Sequence, residues 1–227
     1  MPFPDLPDRL REVRERIDDA IQRGGHGQAV TIVAVTKTHG PDAVQAAWDA
    51  GIGDVGENRV QEALPKMDAV SVPVRWHLIG HLQRNKVKSL ARFDLLHALD
   101  SSRLADSVHE VGSSGRSPIQ ALMQVNVVGE ESKGGFLPED WEREAARLRS
   151  LDGIRVRGVM TMAPLDANES TLRATFAGAR KAREILCSAG HDATELSMGM
   201  SNDYEVAVEE GATYVRLGTI LFGARSA

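Results

Sequence analysis

The sequence has one cysteine, no long hydrophobic run and no excess of basic residues. Cys187 has no second cysteine with which to form an internal disulfide, so we expect a protein of the reducing cytoplasm. The short apolar runs predict no membrane-spanning helix, and the opening residues, MPFPDLPDRL, lack the basic start and the apolar middle of a secretion signal. The net charge of −5 argues against nucleic acid as the main partner, because neutralising phosphates requires a basic face.

What the 227 residues do show is a regular alternation of apolar and amphipathic runs. Apolar residues at steps of three and four, from Leu6 to Ile21, predict a first helix that Gly24 and Gly25 end. Strands are then expected at 30–35, 54–56, 74–79, 95–99, 119–127, 154–160, 194–196 and 214–217. Helices are expected between them, at 41–50, 58–69, 83–91, 101–111, 138–150, 170–189 and 202–210.

This alternation of strand and helix predicts a parallel sheet with right-handed crossovers. Eight such units predict an α/β fold of the closed (β/α)8 TIM barrel type, in one domain spanning residues 1–227. Only a short tail, ILFGARSA, follows the last strand, so the first helix is expected to cover that part of the ring. An open, doubly wound sheet is the alternative, although it usually has fewer strands.

The stretch GIGDVG, residues 51–56, matches the G-x-G-x-x-G pattern of dinucleotide-binding sites. That site needs a strand before the motif and a helix N-terminus directly beneath the pyrophosphate. Here a helix is expected before the motif and a short strand within it. A nicotinamide cofactor is therefore rejected.

The carboxyl ends of the strands meet at one mouth of a barrel, where the chemistry of this fold takes place. Candidate site residues are therefore sought at the predicted strand ends. They are Thr36 and Lys37 after the first strand, Glu57 and Asn58 after the second, His77, Ile79 and Gly80 at the third, Asn126 and residues 132–135 after the fifth, residues 160–164 after the sixth, residues 197–202 after the seventh, and residues 216–219 after the eighth.

The loops after the seventh and eighth strands form a common phosphate site in barrels. Ser201 and Asn202 stand at the start of the helix expected at 202–210, where Glu205 would complete a capping box from Asn202. Gly218 and Thr219 offer backbone N–H groups and a hydroxyl. The two loops together predict a phosphate site; the alternative is that these residues only cap a helix and form a turn.

Two cationic residues at strand ends have more than one possible role. A partly desolvated Lys37 would have a lowered pKa and would form a Schiff base with a carbonyl, whereas the alternative is an ion pair with Glu57. Arg216 lies two residues before Gly218 and therefore points to the same side of its strand, towards the mouth or the interior. A buried guanidinium needs a partner. That partner would be an unprotonated aromatic ring nitrogen, such as that of pyridoxal phosphate, or an interior carboxylate.

Six stretches of the chain resemble the pyridoxal phosphate homeostasis proteins (the YggS/PROSC family): TIVAVTKTH, DVGENRVQE, RWHLIGHLQRNK, VNVVGEESKGG, RGVMTMAP and LSMGMSNDYEVAVEEGATYVRLGTILFGAR. The resemblance runs from about Val30 to Arg225, and SMGMSNDYE and VRLGTILFGAR are its most specific parts. It implies the fold of the N-terminal barrel of alanine racemase, without that enzyme's second domain. It also implies pyridoxal 5'-phosphate as the cofactor.

The resemblance implies roles for individual residues. Lys37 would hold the cofactor covalently as an internal aldimine, and Arg216 would face its pyridine nitrogen. The other implied cofactor-binding residues are the phosphate ligands Ser201, Gly218 and Thr219 with Met200 beside them, Asn58 near the ring hydroxyl, and His77 in the pocket wall. One loop, Ser132-Lys133-Gly134-Gly135, departs from the family, whose members often have a hydroxyl residue at the position of Gly134.

We expect no established catalytic activity. Arg216 would keep the pyridine ring neutral, and the chain lacks the domain that supplies the second base in the racemase. Storage, buffering or delivery of pyridoxal phosphate is the favoured function, with indirect effects on amino-acid metabolism. A low-activity amino-acid racemase and a Schiff-base enzyme acting on a sugar phosphate are the alternatives. The expected partners are pyridoxal phosphate and the apo-enzymes that receive it, without nucleic acid or membrane, and the expected state is a monomer.

No metal site is expected. His77 and His81 have the spacing of two metal ligands on one helix turn. Gly80 and the strand pattern argue against a helix at this point, and no carboxylate completes a site.

Overall fold

Eight parallel strands close into a barrel in sequence order, with β1 paired to β8. The computed structural model describes residues 2–130 and 133–223, so that Ser132 and Arg225 lie outside the described residues. The strands are β1 (Thr31–Val35), β2 (Asp54–Glu57), β3 (Arg75–Leu78), β4 (Leu95–Leu99), β5 (Ile119–Gln124), β6 (Ile154–Met160), β7 (Glu195–Met200) and β8 (Tyr214–Leu217). The predicted TIM barrel is confirmed.

Helices follow the strands and surround the barrel. They are α1 (Leu6–Gly24), α2 (Pro41–Asp49), α3 (Val60–Ala69), α4 (Ser102–Ser114), α5 (Trp141–Arg149), α6 (Glu169–Ser188), α7 (Tyr204–Glu209) and α8 (Thr219–Phe222). A 3₁₀ helix, Arg84–Arg92, joins β3 to β4, and a shorter one, Pro138–Asp140, leads into α5. Among the residues that the structure describes, no helix is both long and apolar enough to cross a membrane.

Local signals in the sequence explain where several helices begin. Pro41 occupies the first turn of α2, where its missing N–H costs no hydrogen bond. The side chain of Ser101 accepts a hydrogen bond from the backbone N–H of Leu104 at the start of α4. Asn168 caps α6 in the same way, by accepting from the N–H of Thr171 at 2.9 Å.

The first helix covers the part of the ring that the four-residue α8 leaves open, as the sequence analysis expected. The apolar stripe of α1 is buried, with Leu10 only 2% exposed. Arg23 of α1 pairs with Glu209 of α7, and Arg9 donates to the carbonyl of Leu221 in α8 at 3.4 Å. The helix therefore packs over the seam between the seventh and eighth units.

Several element limits differ from the predictions by one to four residues, and three of these differences lie beside the barrel mouth. β5 ends at Gln124, because the side-chain amide of Asn126 donates to the carbonyls of Glu130 and Lys133 and folds the chain into a loop. β7 continues to Met200, which pairs with Arg216 of β8. α7 begins at Tyr204, so the capping box expected from Asn202 is wrong. Its N-cap residue is Asp203, whose carboxylate accepts from the N–H of Met200 and tightens the turn.

Candidate functional site

A cavity of about 770 Å³ opens at the carboxyl ends of the strands. Every strand, or the segment directly after it, contributes to its lining. Seven of the eight residues predicted to bind the cofactor line this one cavity: Lys37, Asn58, Met200, Ser201, Arg216, Gly218 and Thr219. A cavity of this size, with a few convergent polar groups, is typical of a small-molecule site.

The eighth predicted residue, His77, lies at the other end of the barrel interior. It lines a smaller cavity of about 240 Å³ together with Arg75 and Tyr214, which are the first residues of β3 and β8. Its ring donates towards Asp54, the first residue of β2, and contacts the ring of His97. Side-chain alternation turns His77 into the barrel interior, and its partner Asp54, at the start of β2, lies away from the mouth.

Lys37 stands at the end of β1, partly buried in the mouth. The residue after it, Thr38, has a φ of 68°, a left-handed conformation that β-branched residues rarely adopt. The preceding residue, Thr36, is buried, and its N–H donates to the carbonyl of Gly56 in β2 at 3.1 Å. The chain therefore turns sharply at Lys37 while its strand stays anchored in the sheet, and strain of this kind is often found at functional sites.

A buried ion pair lies beside Thr36, and the sequence analysis missed half of it. Lys66 of α3 donates to Glu57 Oε1 at 2.6 Å and to the carbonyl of Thr36 at 2.7 Å. The hydroxyl of Thr36 donates to the same Glu57 oxygen at 2.6 Å. Glu57, considered above as a partner for Lys37, thus pairs with Lys66. Lys66 follows Val60 and Ala63 at steps of three, which places it on the buried face of α3; this spacing could have predicted that Lys66 is buried.

The predicted phosphate residues meet where the loops after β7 and β8 touch. Ser201 Oγ accepts from the backbone N–H groups of Gly218 and Ile220, each at 3.4 Å. These hydrogen bonds are long, so the N–H groups remain able to turn towards an anion. Gly218 directly precedes α8, and Thr219 is its first residue. The loops therefore present hydroxyl and backbone donors together at one end of the cavity.

Arg216 is 4% exposed and lines the same cavity. Its guanidinium donates to Ser197 Oγ at 2.6 Å and to the carbonyl of Thr161 at 2.9 Å. Burial lowers the pKa of Arg216 to about 10, an effect that the more distant Asp203 opposes. Within residues 2–130 and 133–223, no carboxylate forms an ion pair with Arg216, so the interior carboxylate considered above is not found there. A buried cation therefore faces the cavity with only neutral acceptors.

Several further lining residues, among them His81, Asp100 and Asp203, were not predicted, whereas Lys133 was among the strand-end candidates. His81 Nδ1 and Asp100 Oδ2 lie 2.7 Å apart at the rim, and Lys133 donates to the carbonyl of Ala163 at 2.8 Å. Burial raises the pKa of Asp203, although hydrogen bonds from the backbone and the charge of Arg216 oppose the rise. His81 and Asp100 follow strands whose ends were placed correctly or within one residue, whereas Asp203 follows β7, whose end was placed four residues too early. The sequence surroundings of all three resemble those of ordinary loop residues.

Two glycines shape the mouth. An added Cβ on Gly80 would lie 2.4 Å from the backbone oxygen of Asn58, so the close approach of these two loops requires glycine. An added Cβ on Gly134 would lie 3.3 Å from Asp100 Oδ2. The hydroxyl that this chain lacks at position 134 would therefore have faced Asp100 and not the residues around Lys37.

No metal centre is evident in the described part of the chain, which holds no group of three or more histidine, cysteine, aspartate or glutamate residues suited to a metal ion. His77 and His81, which share a helical spacing in the sequence, line different cavities at opposite ends of the barrel. They cannot ligate one ion together.

Comparison with known proteins places the chain among relatives of nearly equal length. Residues 9–226 match the family model for the N-terminal domain of alanine racemase. The pyridoxal phosphate homeostasis protein of Pseudomonas aeruginosa is 40% identical over 223 residues, which cover 97% of this chain and 96% of the relative. That of Aquifex aeolicus is 40% identical over 222 residues, covering 96% and 97%.

A solved structure agrees with the sequence matches. PipY of Synechococcus elongatus, whose structure contains PLP, is 35% identical and superposes with a TM-score of 0.85 over 96% of this chain and 100% of PipY. The chain belongs to the alanine racemase N-terminal domain family and, within it, to the pyridoxal phosphate homeostasis proteins.

Proposed function

We propose that this protein binds pyridoxal 5'-phosphate as a Schiff base on Lys37 and stores or delivers it within the cell. The observation that carries the proposal is the environment of Arg216, a buried guanidinium that faces the cavity of Lys37 and has no carboxylate partner among the described residues. A neutral ring nitrogen suits such a cation, because it accepts a hydrogen bond and carries no proton of its own. PipY, with its bound PLP, supports the same ligand.

The remaining residues of the mouth fit the other parts of this ligand. Lys37 is the amine for the aldehyde, and Ser201, Gly218 and Thr219 supply hydroxyl and backbone donors for the phosphate. Met200 lies beside the phosphate donors, and Asn58 is assigned to the ring hydroxyl. His77 is not assigned a contact, because it lines the cavity at the opposite end of the barrel.

The charge on Arg216 favours holding the cofactor over turning it over. Bound pyridoxal phosphate supplies an electron sink for reactions at an amino acid's α-carbon, and that sink works best when the ring nitrogen is protonated. A guanidinium beside the nitrogen opposes its protonation, because the two positive charges would repel in a buried site. Arg216 therefore disfavours reactions at the α-carbon of an amino acid, while it helps to bind the cofactor.

Covalent attachment is tested by an absorption spectrum of the purified protein before and after borohydride, followed by peptide mass mapping. An imine band that disappears on reduction, with the added mass on Lys37, is the expected result. Lys133→Ala is the matched control, because Lys133 lines the same cavity and its loss should leave the band in place. A protein that stays colourless after incubation with pyridoxal phosphate would overturn the proposal and favour a Schiff-base enzyme of sugar phosphates.

Delivery is tested by transfer to an apo-enzyme that depends on pyridoxal phosphate. The loaded protein, freed of unbound cofactor, should restore the activity of the apo-enzyme. A trap for free pyridoxal phosphate, added in parallel, separates direct transfer from release into solution. If no cofactor leaves the protein under either condition, storage and delivery are both wrong. The recipient enzymes, the monomeric state and the cytoplasmic location remain predictions.

A low-activity racemase is the second candidate, and one observation favours it. The His81–Asp100 pair lines the same cavity as Lys37 and offers a second titratable group. The two tyrosines do not serve this role: Tyr214 lines the cavity at the opposite end, and Tyr204 is buried at the start of α7. Exchange of α-deuterium in a panel of amino acids, lost in both Lys37→Ala and His81→Gln, would establish catalysis.

A further inference from the structure

Five polar side chains form a continuous hydrogen-bonded series inside the barrel, which we call the interior chain: Arg216, Ser197, His97, His77 and Asp54. Arg216 Nη1 lies 2.6 Å from Ser197 Oγ, which lies 2.8 Å from His97 Nδ1. His97 Nε2 lies 2.9 Å from His77 Nδ1, and His77 Nε2 lies 2.8 Å from Asp54 Oδ1. All five side chains are buried.

The interior chain crosses the barrel and does not run along its wall. His97 belongs to β4 and Ser197 to β7, and β5 and β6 separate these strands in the sheet. A hydrogen bond between their side chains can therefore form only through the interior. Barrel interiors are usually filled by branched apolar residues, and buried polar groups are costly unless each is hydrogen-bonded. A series of five such groups requires a physical explanation.

The two ends of the interior chain determine where its hydrogens lie. Arg216 can only donate, and an ionised Asp54 can only accept. Within the described residues, the partners of Ser197 Oγ are Arg216 and His97, so the hydroxyl proton has only His97 Nδ1 as an acceptor. His97 must then carry its hydrogen on Nε2 and donate to His77, which carries its own on Nε2 and donates to Asp54. Every hydrogen bond points from Arg216 towards Asp54.

The charges along the interior chain agree with this direction. Burial keeps the pKa of His97 well below its usual value, and the positive charge of Arg216 lowers it further. Burial opposes ionisation of Asp54, but hydrogen bonds from His77 and from Arg75 leave its pKa below the ordinary value. Arg216 is therefore the cation at the mouth, His97 a neutral ring in the middle, and Asp54 the anion at the far end.

We propose that Ser197, His97 and His77 are positioning residues that connect Arg216 to Asp54 as a remote counter-charge. They hold one edge of the guanidinium, while the carbonyl of Thr161 holds Nη2, so its remaining N–H groups face the cavity. A direct carboxylate would compete with a ligand for those N–H groups, whereas the interior chain compensates the charge from a distance. Aligned hydrogen bonds also polarise one another. That Arg216 faces the ring nitrogen of pyridoxal phosphate rests on the proposed function.

The direction of the hydrogen bonds is tested on the protein itself, without ligand. Long-range ¹H–¹⁵N spectra of the histidine rings at pH 7 should show both His77 and His97 neutral and protonated on Nε2. A positively charged His77 would force His97 to carry its hydrogen on Nδ1 and would make Ser197 a double acceptor. That pattern would overturn the proposal.

The consequence for the ligand is tested with Ser197→Ala, whose folding is checked by its thermal unfolding curve. The variant removes the hydroxyl that Arg216 Nη1 meets, and we expect the dissociation constant for pyridoxal phosphate to rise about tenfold, the effect of one lost charge-assisted hydrogen bond. Thr175→Val is the matched control. It removes another buried hydroxyl, which donates to the carbonyl of Thr171 in α6 and does not line the cavity. This control should bind like the parent.

The possible results distinguish a failure of the interior chain from a failure of the proposed function. Parent-like binding in Ser197→Ala, together with weakened binding in Arg216→Ala, would show that Arg216 needs no positioning and would overturn the interior chain. Equal losses in Ser197→Ala and Thr175→Val would reduce the effect to general destabilisation and would also overturn it. If the parent protein binds no pyridoxal phosphate at all, the proposed function fails, while the histidine spectra still decide the direction of the hydrogen bonds.

Discussion

Lys66 shows how one residue can anchor a site that it does not line. Its ammonium joins Glu57 and the carbonyl of Thr36, and Thr36 precedes Lys37 directly. Both members of this pair are buried, so each compensates for the desolvation of the other. Replacing one member of the pair leaves the other as an isolated buried charge, whereas replacing both members leaves no buried charge.

Replacing Lys66 should therefore strongly destabilise the fold, and a second substitution at Glu57 should restore part of the lost stability. We expect Lys66→Met to lower the free energy of unfolding by about 3–5 kcal/mol, because Glu57 is left buried and unpaired. The double variant with Glu57→Gln should recover part of the loss. Urea unfolding provides the measurement, and Arg59→Met, which removes an exposed partner of Glu62, should cost less than about 1 kcal/mol. A cost for Lys66→Met as small as that for Arg59→Met would contradict this account.

At the scale of elements, α1 completes the outer ring beside α8, which has only four residues. The sequence analysis expected this from the short tail after the last strand, and the buried stripe of α1 confirms it. By contrast, the turn between β7 and α7 was misplaced, because Asp203 and not Asn202 organises it. Periodicity over five turns of helix is a strong signal, whereas a capping residue among several polar neighbours is a weak one.

Burial of α1 against the barrel predicts a large effect from a single truncation. Leu10→Ala should lower the free energy of unfolding by about 2–5 kcal/mol, since it leaves a cavity beneath the helix. Leu165→Ala is the matched control, because Leu165 is 81% exposed and its loss should stay within about 0.5 kcal/mol. Nearly equal midpoints of urea denaturation for the two variants would mean that α1 contributes little to the stability of the barrel.

For the whole molecule, one buried histidine and one half-buried histidine couple stability to pH. The pKa values of His97 and His191 are lowered, in both cases chiefly by burial. The unfolded chain takes up protons on these rings as the pH falls through about 6.5, while the folded state resists. The free energy of unfolding should therefore fall between pH 7 and pH 5, by up to about 1.4 kcal/mol per pH unit for each ring. The lowered pKa of Asp54 adds a loss only at lower pH.

This pH dependence is measured by urea unfolding at pH 7, 6 and 5. His97→Gln should flatten the dependence, because glutamine does not titrate in this range. His26→Gln changes an exposed histidine and is expected to leave the slope as it is in the parent. Parallel slopes for the parent and His97→Gln would show that His97 is not kept neutral by the fold.

The prediction that residues 1–227 form one domain, and that the chain is a monomer, is also tested at this scale. A closed barrel in which β1 pairs with β8 should unfold cooperatively, since no strand can leave without opening the ring. Fluorescence and circular dichroism should report the same midpoint. Light scattering should give the mass of one chain, 24.6 kDa. Two separated transitions would contradict the single domain, and twice that mass would contradict the monomer.

The sequence by itself determined the fold class and most of the mouth. Strand and helix periods depend on residues close together in the chain, and the rule that parallel strands end at one mouth then brings Lys37, Ser201 and Arg216 together. Only the tertiary structure decided which side chains of different elements pair with one another. Lys66 reaches Glu57 from a helix, and His97 meets Ser197 across two intervening strands. Such contacts depend on the curvature of the closed barrel and on side-chain direction, which no local pattern encodes.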